Sequence, residues 1–131
     1  MLLPTLKKRM MTSRDALGKW GEKQALKYLK AGGLHFLAKN FFCSSGEIDL
    51  IMVDAGSSIV FVEVKTRTSE IFTPTEAVIT ADKQRKMYNA ARYFLATHNI
   101  HSRPYRFDCL TITLDPDGKK NINHFKNAFV M

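Results

Sequence analysis

At 131 residues the chain has room for one domain with a real buried core. Its 20 lysines and arginines outweigh 12 aspartates and glutamates, giving +8 with histidines neutral, an excess that draws polyanions, nucleic acid first and an anionic membrane surface second. No apolar run approaches the roughly 20 residues of a membrane-spanning helix, and two cysteines without a CxxC neighbour argue against both a disulfide framework and a structural zinc site.

Residues 1–12 read as a basic, flexible tail, because Lys7-Lys8-Arg9 follow the short apolar start, the reverse of a signal peptide. With Cys43 and Cys109 as reduced thiols, the chain is expected in the cytoplasm, with residues 13–131 forming its single domain. The first helix is predicted from Ser13 or Arg14 to Ala31, where Gly32-Gly33 stops it. At about 100° per residue, Leu17, Gly18, Gly21, Ala25, Leu26, Tyr28 and Leu29 form one apolar or small arc, and Glu22 falls inside it. A lone glutamate there either aims at a site or pairs with a lysine or arginine at the arc's edge. Lys19, Lys23, Lys27 and Lys30 adjoin the arc, as a solvated face or as contacts for a phosphate backbone.

Ile48–Val53 and Ile59–Lys65 are both rich in β-formers and are separated by Asp54-Ala55-Gly56-Ser57-Ser58, so they read as a hairpin. Alternation puts Glu63 and Lys65 on one face with Phe61, and Val60, Val62 and Val64 on the other. Thr66-Arg67-Thr68-Ser69 then leads into a loop ending near Pro74, with Thr66 and Arg67 in reach of phosphates. A second helix starts after an N-capping Thr80 and runs to about Thr97, with Met87, Ala90, Ala91, Phe94 and Leu95 as its core stripe. Lys83, on the same side, either points toward the hairpin or snorkels at the edge of the core. Arg106–Leu114 reads as a strand, Asp115–Gly118 as a turn, and a short strand follows near Ile122–Phe125. Asp108 is expected to hold a strand end or an arginine, and the four histidines are read as scattered. This order gives an α/β fold, a mixed sheet of about four to five strands flanked by helices.

The chemistry lies in the hairpin. An antiparallel return sets Asp49 opposite the Glu63 region, about 5 Å away. Burying unpaired carboxylates costs several kcal/mol, roughly, unless something compensates them. Two carboxylates with a backbone carbonyl, such as that of Val64, suffice for Mg2+ or Mn2+, which prefer oxygen ligands and keep several waters. Lys65 is then placed to orient the attacking water or to stabilise a pentavalent phosphate. The alternative is a surface ion pair between Glu63 and Lys65 on an ordinary half-exposed strand.

Asp49 with Glu63-Val64-Lys65 resembles the PD-(D/E)xK nuclease signature, with Ile48 where the superfamily's name has proline. The wider pattern is similar to the YraN-like family over about residues 14–129. It rests on Gly18-Lys19-Trp20-Gly21-Glu22, Asn40, Gly46-Glu47-Ile48-Asp49-Leu50-Ile51, Val60–Arg67, Glu76-Ala77-Val78, Lys83, Arg106-Phe107-Asp108 and Asn127-Ala128-Phe129. The resemblance implies a restriction-endonuclease-like core and a metal-dependent nuclease of DNA, more than RNA, related to enzymes that resolve branched DNA. It implies Glu22 as a further carboxylate at the metal, since related resolvases carry a glutamate of the first helix there, and it allows a homodimer. A nucleic-acid-binding module with little activity and a protein-interaction scaffold are the competing classes.

Overall fold

After Gly33 the β-forming segments lie side by side in the order in which they occur along the chain. The computed structural model describes residues 14–68 and 79–131. The expected tail over 1–12, the loop end at Pro74 and the Glu76-Ala77-Val78 match fall outside the described residues. The elements are α1 (Arg14–Ala31), β1 (His35–Cys43), β2 (Gly46–Val53), β3 (Ile59–Thr68), α2 (Ala81–Thr97), β4 (Tyr105–Leu114) and β5 (Lys120–Phe129). The sheet order is β1-β2-β3-β4-β5. All neighbours run antiparallel except β3 and β4, which are parallel because α2 carries the chain back across the sheet between them. A five-stranded mixed sheet flanked by two helices is the restriction-endonuclease-like arrangement expected.

Both helices end where local chemistry says they should. Gly33 takes the left-handed backbone, φ 98°, that closes α1, and the Gly32 and Leu34 amides donate to the Tyr28 and Leu29 carbonyls. At the start of α2, Thr80 Oγ1 accepts from the Lys83 amide at 3.2 Å. Because side chains alternate across a strand, the sheet has two apolar faces. One packs Leu50, Met52, Val60, Val62, Leu110 and Ile112 against Ala25 and Leu29 of α1. The other packs Ile51, Phe61, Phe107 and Cys109 against Met87, Ala90, Ala91 and Phe94 of α2. Cys43 and Cys109 are free thiols.

Four features differ from the sequence reading. β1 has no forerunner in it: the strand is an exposed edge along most of its length, so no alternation of apolar and polar residues marks it. Thr66-Arg67-Thr68 belong to β3 rather than to a loop, held by parallel pairing with Ile112, Thr113 and Leu114 of β4. β5 runs from Lys120 to Phe129, longer than expected. Tyr28, assigned to the buried arc of α1, is 41% exposed.

The approach of α1 to β3 depends on one glycine. A Cβ built on Gly21 would lie 1.8 Å from Thr66 Oγ1 and 2.8 Å from Thr66 Cβ. Alanine is intrinsically about 1 kcal/mol better than glycine within a helix, but here the clash wins. Gly21→Ala should destabilise by about 1–3 kcal/mol, the usual range for overpacking. Urea unfolding checks this, and adding Thr66→Ala should recover part of the loss. A Gly21→Ala protein as stable as wild type would disprove the close approach.

Candidate functional site

The ladder between β2 and β3 runs from Val53↔Ile59 to Leu50↔Val62 and then stops. The next pair in register would be Asp49 with Glu63. Instead of completing a backbone rung, Asp49 turns its side chain to β3 and accepts a hydrogen bond from the Val64 amide on Oδ2 at 2.7 Å. That bond fixes the carboxylate beside Glu63, and the two acidic side chains meet in a hydrogen bond. They share one end of the sheet, as the hairpin register predicts, rather than opposite faces.

Glu63 has the most perturbed carboxyl here. Its side chain is only 13% exposed. Burial, then the Asp49 hydrogen bond and charge, push its pKa up to about 8 against the opposing pull of Lys83 and Lys65. Lys83 reaches in from the first turn of α2, its Nζ 3.6 Å from Glu63 Oε2 and 3.9 Å from Glu47 Oε1, with its side chain 26% exposed. The lysine thus points at the acidic pair and does not merely snorkel at the core's edge. Glu63 therefore has an ion-pair partner on a second element, with the Lys65 charge of its own strand acting on it as well.

Glu22 approaches from α1. Burial raises its pKa, and the Asp49 charge raises it further, while a hydrogen bond with Asn40 opposes them. Glu22, Asp49 and Glu63 therefore belong to one electrostatic neighbourhood, with Asp49 between the others. Among the described residues, no three His, Cys, Asp or Glu side chains form a ready metal-holding group. The donors that do come together are the Asp49 and Glu63 carboxylates, with the Val64 backbone anchored alongside.

The remaining sequence candidates are dispersed. Lys65 is half-buried on β3 and its charge reaches Glu63. Thr66 is occupied with packing against Gly21. Arg67 donates from Nη1 to the Thr66 carbonyl at 2.9 Å. Lys19 is 79% exposed and pairs with Asp15 one turn earlier at 3.5 Å, and Lys23 is also exposed. These two lysines form a solvated helix face rather than part of the acidic cluster.

Two participants had no role in the sequence reading. Glu47 shares Lys83 with Glu63, and its spacing of two from Asp49 on a strand was the available signal. Asn40 bonds Glu22 from a left-handed backbone, φ 51°, where the β1–β2 ladder omits the Asn40 and Asp49 pair. Asparagine tolerates that conformation better than most residues, which is the physical signal an asparagine among aromatic strand residues carries.

The model of the uncharacterised protein family UPF0102 matches residues 21–112, from the glycine against β3 through β4. The chain belongs to this family. A UPF0102 protein of Alcanivorax borkumensis is 39% identical over 130 residues, covering 97% of this chain and 98% of the relative. One from Legionella pneumophila is 43% identical over 114 residues, covering 86% and 92%. One from Clostridium perfringens is 38% identical over 121 residues, covering 92% and 98%. This is the YraN-like family whose pattern the sequence carries.

Proposed function

We propose that the protein is a Mg2+- or Mn2+-dependent nuclease that hydrolyses phosphodiester bonds in DNA, with branched or structured DNA among the substrates to be tested. One observation carries the reading. A buried Glu63 is pressed against Asp49, which is locked in place by the Val64 amide. Structural strands rarely keep two acids in contact, because the arrangement is unfavourable until a cation relieves it. The residues fit such an ion: Glu63 already attracts the Lys83 ammonium at 3.6 Å, a monovalent stand-in at the same oxygen.

Asp49 and Glu63 would hold the ion, with the Val64 carbonyl and waters supplying further oxygens and Glu22 acting from α1. Bound there, the metal would acidify a coordinated water and neutralise charge building on the phosphate. Lys65 orients the attacking water and stabilises the charged phosphate. Lys83 balances the pair before the ion arrives, and Arg67, near the end of β3, would supply a cation for the DNA backbone. The net charge of +8 draws the substrate. Among the described residues no helix is long and apolar enough to cross a membrane.

Cleavage of supercoiled plasmid and branched DNA in Mg2+, Mn2+ or EDTA tests this, beside Asp49→Ala and Lys65→Ala. Metal-dependent cutting that disappears in both variants is expected. Cutting that survives both would come from a contaminant and would refute the assignment. The second reading is a module that binds nucleic acid without cutting it. Metal-independent binding with no cleavage would establish it.

A further inference from the structure

A second polar constellation lies at the opposite end of the sheet and plays no part in the chemistry above. Asp54, at its rim, follows Asp49 by five residues along β2, on the order of 15 Å away at about 3.3 Å per residue. There the C-terminal end of α1, the β2–β3 turn and strands β4 and β5 enclose a cavity of about 790 Å3, lined by Tyr28, Gly33, Asp54, Arg106, His124 and Lys126 among others.

The cavity's polar wall is built on a carboxylate with no exposure. Asp108 is 0% exposed. It accepts from Arg106 Nε at 3.1 and 3.2 Å on its two oxygens, from His124 Nε2 at 2.8 Å and from the Asn127 amide at 3.0 Å. Arg106 also donates from Nη1 to Asp54 Oδ2 at 2.9 Å. The guanidinium is therefore clamped through Nε and Nη1, which leaves Nη2 outside these bonds. Since a carboxylate only accepts, His124 Nε2 carries the hydrogen, and Nδ1 of that tautomer is an acceptor, open to a donor group of a ligand rather than to its phosphate. Lys126 adds a second, exposed cation.

Fixing two donors on a buried acid is costly if the purpose is stability alone. As preorganisation it makes sense, because a clamped guanidinium loses little freedom when it binds an anion. The carbonyls at the end of α1 do not oppose an anion strongly. Those of Tyr28, Leu29 and Lys30 already accept from the Gly32, Leu34 and Gly33 amides. The other wall is aromatic and flat. Tyr28 is 41% exposed and stands edge-on to His124 with ring centroids 6.2 Å apart, while the neighbouring glycines add no side chains to obstruct a planar ring.

We infer that this cavity binds a nucleotide unit, its phosphate held by Arg106 and Lys126 and its base against Tyr28. The source is either a free nucleotide or an unpaired, 5′-phosphorylated strand end. The assignment does not depend on the nuclease reading, since the two sites share no residue.

Calorimetric titration of the full chain with dAMP, inorganic phosphate and a short 5′-phosphorylated oligonucleotide tests it. Saturable dAMP binding is expected. Tyr28→Ala should weaken it by at least about fivefold, the loss of one stacked base, and Lys126→Ala by about tenfold. Glu63→Gln should bind dAMP as wild type does, so a failure of the nuclease proposal leaves this result untouched. Tighter binding of the oligonucleotide would assign a strand end, and equal binding a free nucleotide. Absence of saturable binding, phosphate binding as tightly as dAMP, or dAMP affinity unchanged in Tyr28→Ala and Lys126→Ala would each overturn the inference. Both substitutions are at exposed positions, and circular dichroism of each variant shows whether the fold is retained.

Discussion

Glu63→Gln should reduce metal-dependent cleavage by at least about 100-fold and, in the same protein without metal, raise the melting temperature at pH 8 to 9 by several degrees. The two effects have one cause. In the folded chain the Glu63 carboxyl has a pKa of about 8, against an ordinary value of 4.5, because it is buried beside Asp49. The folded state therefore holds this proton more tightly than the unfolded state does. The resulting stabilisation is full below about pH 4.5 and is lost as pH rises toward 8, where two adjoining acids must both carry charge. At about 1.4 kcal/mol per pH unit, this amounts to a few kcal/mol at most. A glutamine imitates the protonated acid at every pH, so the alkaline decline in melting temperature should flatten in the variant. It also cannot supply an anionic metal ligand. Thermal melts from pH 5 to 9, in EDTA and separately in Mn2+ without chelator, measure the stability half, and plasmid cleavage measures the other. Wild-type protein should gain stability from Mn2+, by about 2.7 kcal/mol when the ion is at 100 times its dissociation constant, and Glu63→Gln should gain far less. A variant that still cuts, or that melts earlier than wild type at pH 9, contradicts the account. Lost cleavage and gained alkaline stability in the variant would be two readings of the same crowded pair.

Asp108→Ala should cost about 3–5 kcal/mol, the range for breaking a buried ion pair from one side. Against total stabilities of about 5–15 kcal/mol for such domains, that is a large fraction. Burial alone would raise the Asp108 pKa, but hydrogen bonds from His124, Arg106 and the Asn127 amide outweigh it and hold the acid below its usual range. Its contribution is therefore present above about pH 4 and is lost as pH falls through the lowered folded value. Alanine leaves Arg106 and His124 facing a void and removes the acceptor of the Asn127 amide. That amide belongs to a residue of β5 with a left-handed backbone, φ 52°, near the register shift of β4 against β5 between Phe107 and Cys109. Urea midpoints at pH 7 and pH 3 read the effect. The gap between Asp108→Ala and wild type should shrink in acid, and a constant gap would show that volume, not charge, explains the loss.

Much of this architecture can be read from single residues. Thr80 announces α2, Gly32-Gly33 end α1, and the run from Ile59 to Lys65 with its preceding turn defines the central hairpin, because each is governed by neighbours in sequence. The acidic pair was equally legible, since strand alternation and an antiparallel return fix Asp49 near Glu63. What escaped depends on distant partners. Thr66-Arg67-Thr68 have no apolar pattern and remain extended only because β4 lies parallel to them. β1, with Phe36, Leu37 and Phe42 all substantially exposed, is recruited by pairing with β2 rather than by burial. Lys83 has two equally good destinations by helical spacing, and only the position of Glu63 across the α2 side decides between them.

Sheet order that follows chain order has a bearing on synthesis. Both acids and the amide that locks them lie between Asp49 and Val64, so the hairpin that joins them needs only nearby residues and can close early. The ammonium that balances them sits beyond a further stretch of chain, at Lys83. A nascent chain thus closes the acidic pair, with the Lys65 charge beside it, before the second ammonium that acts on Glu63 has left the ribosome.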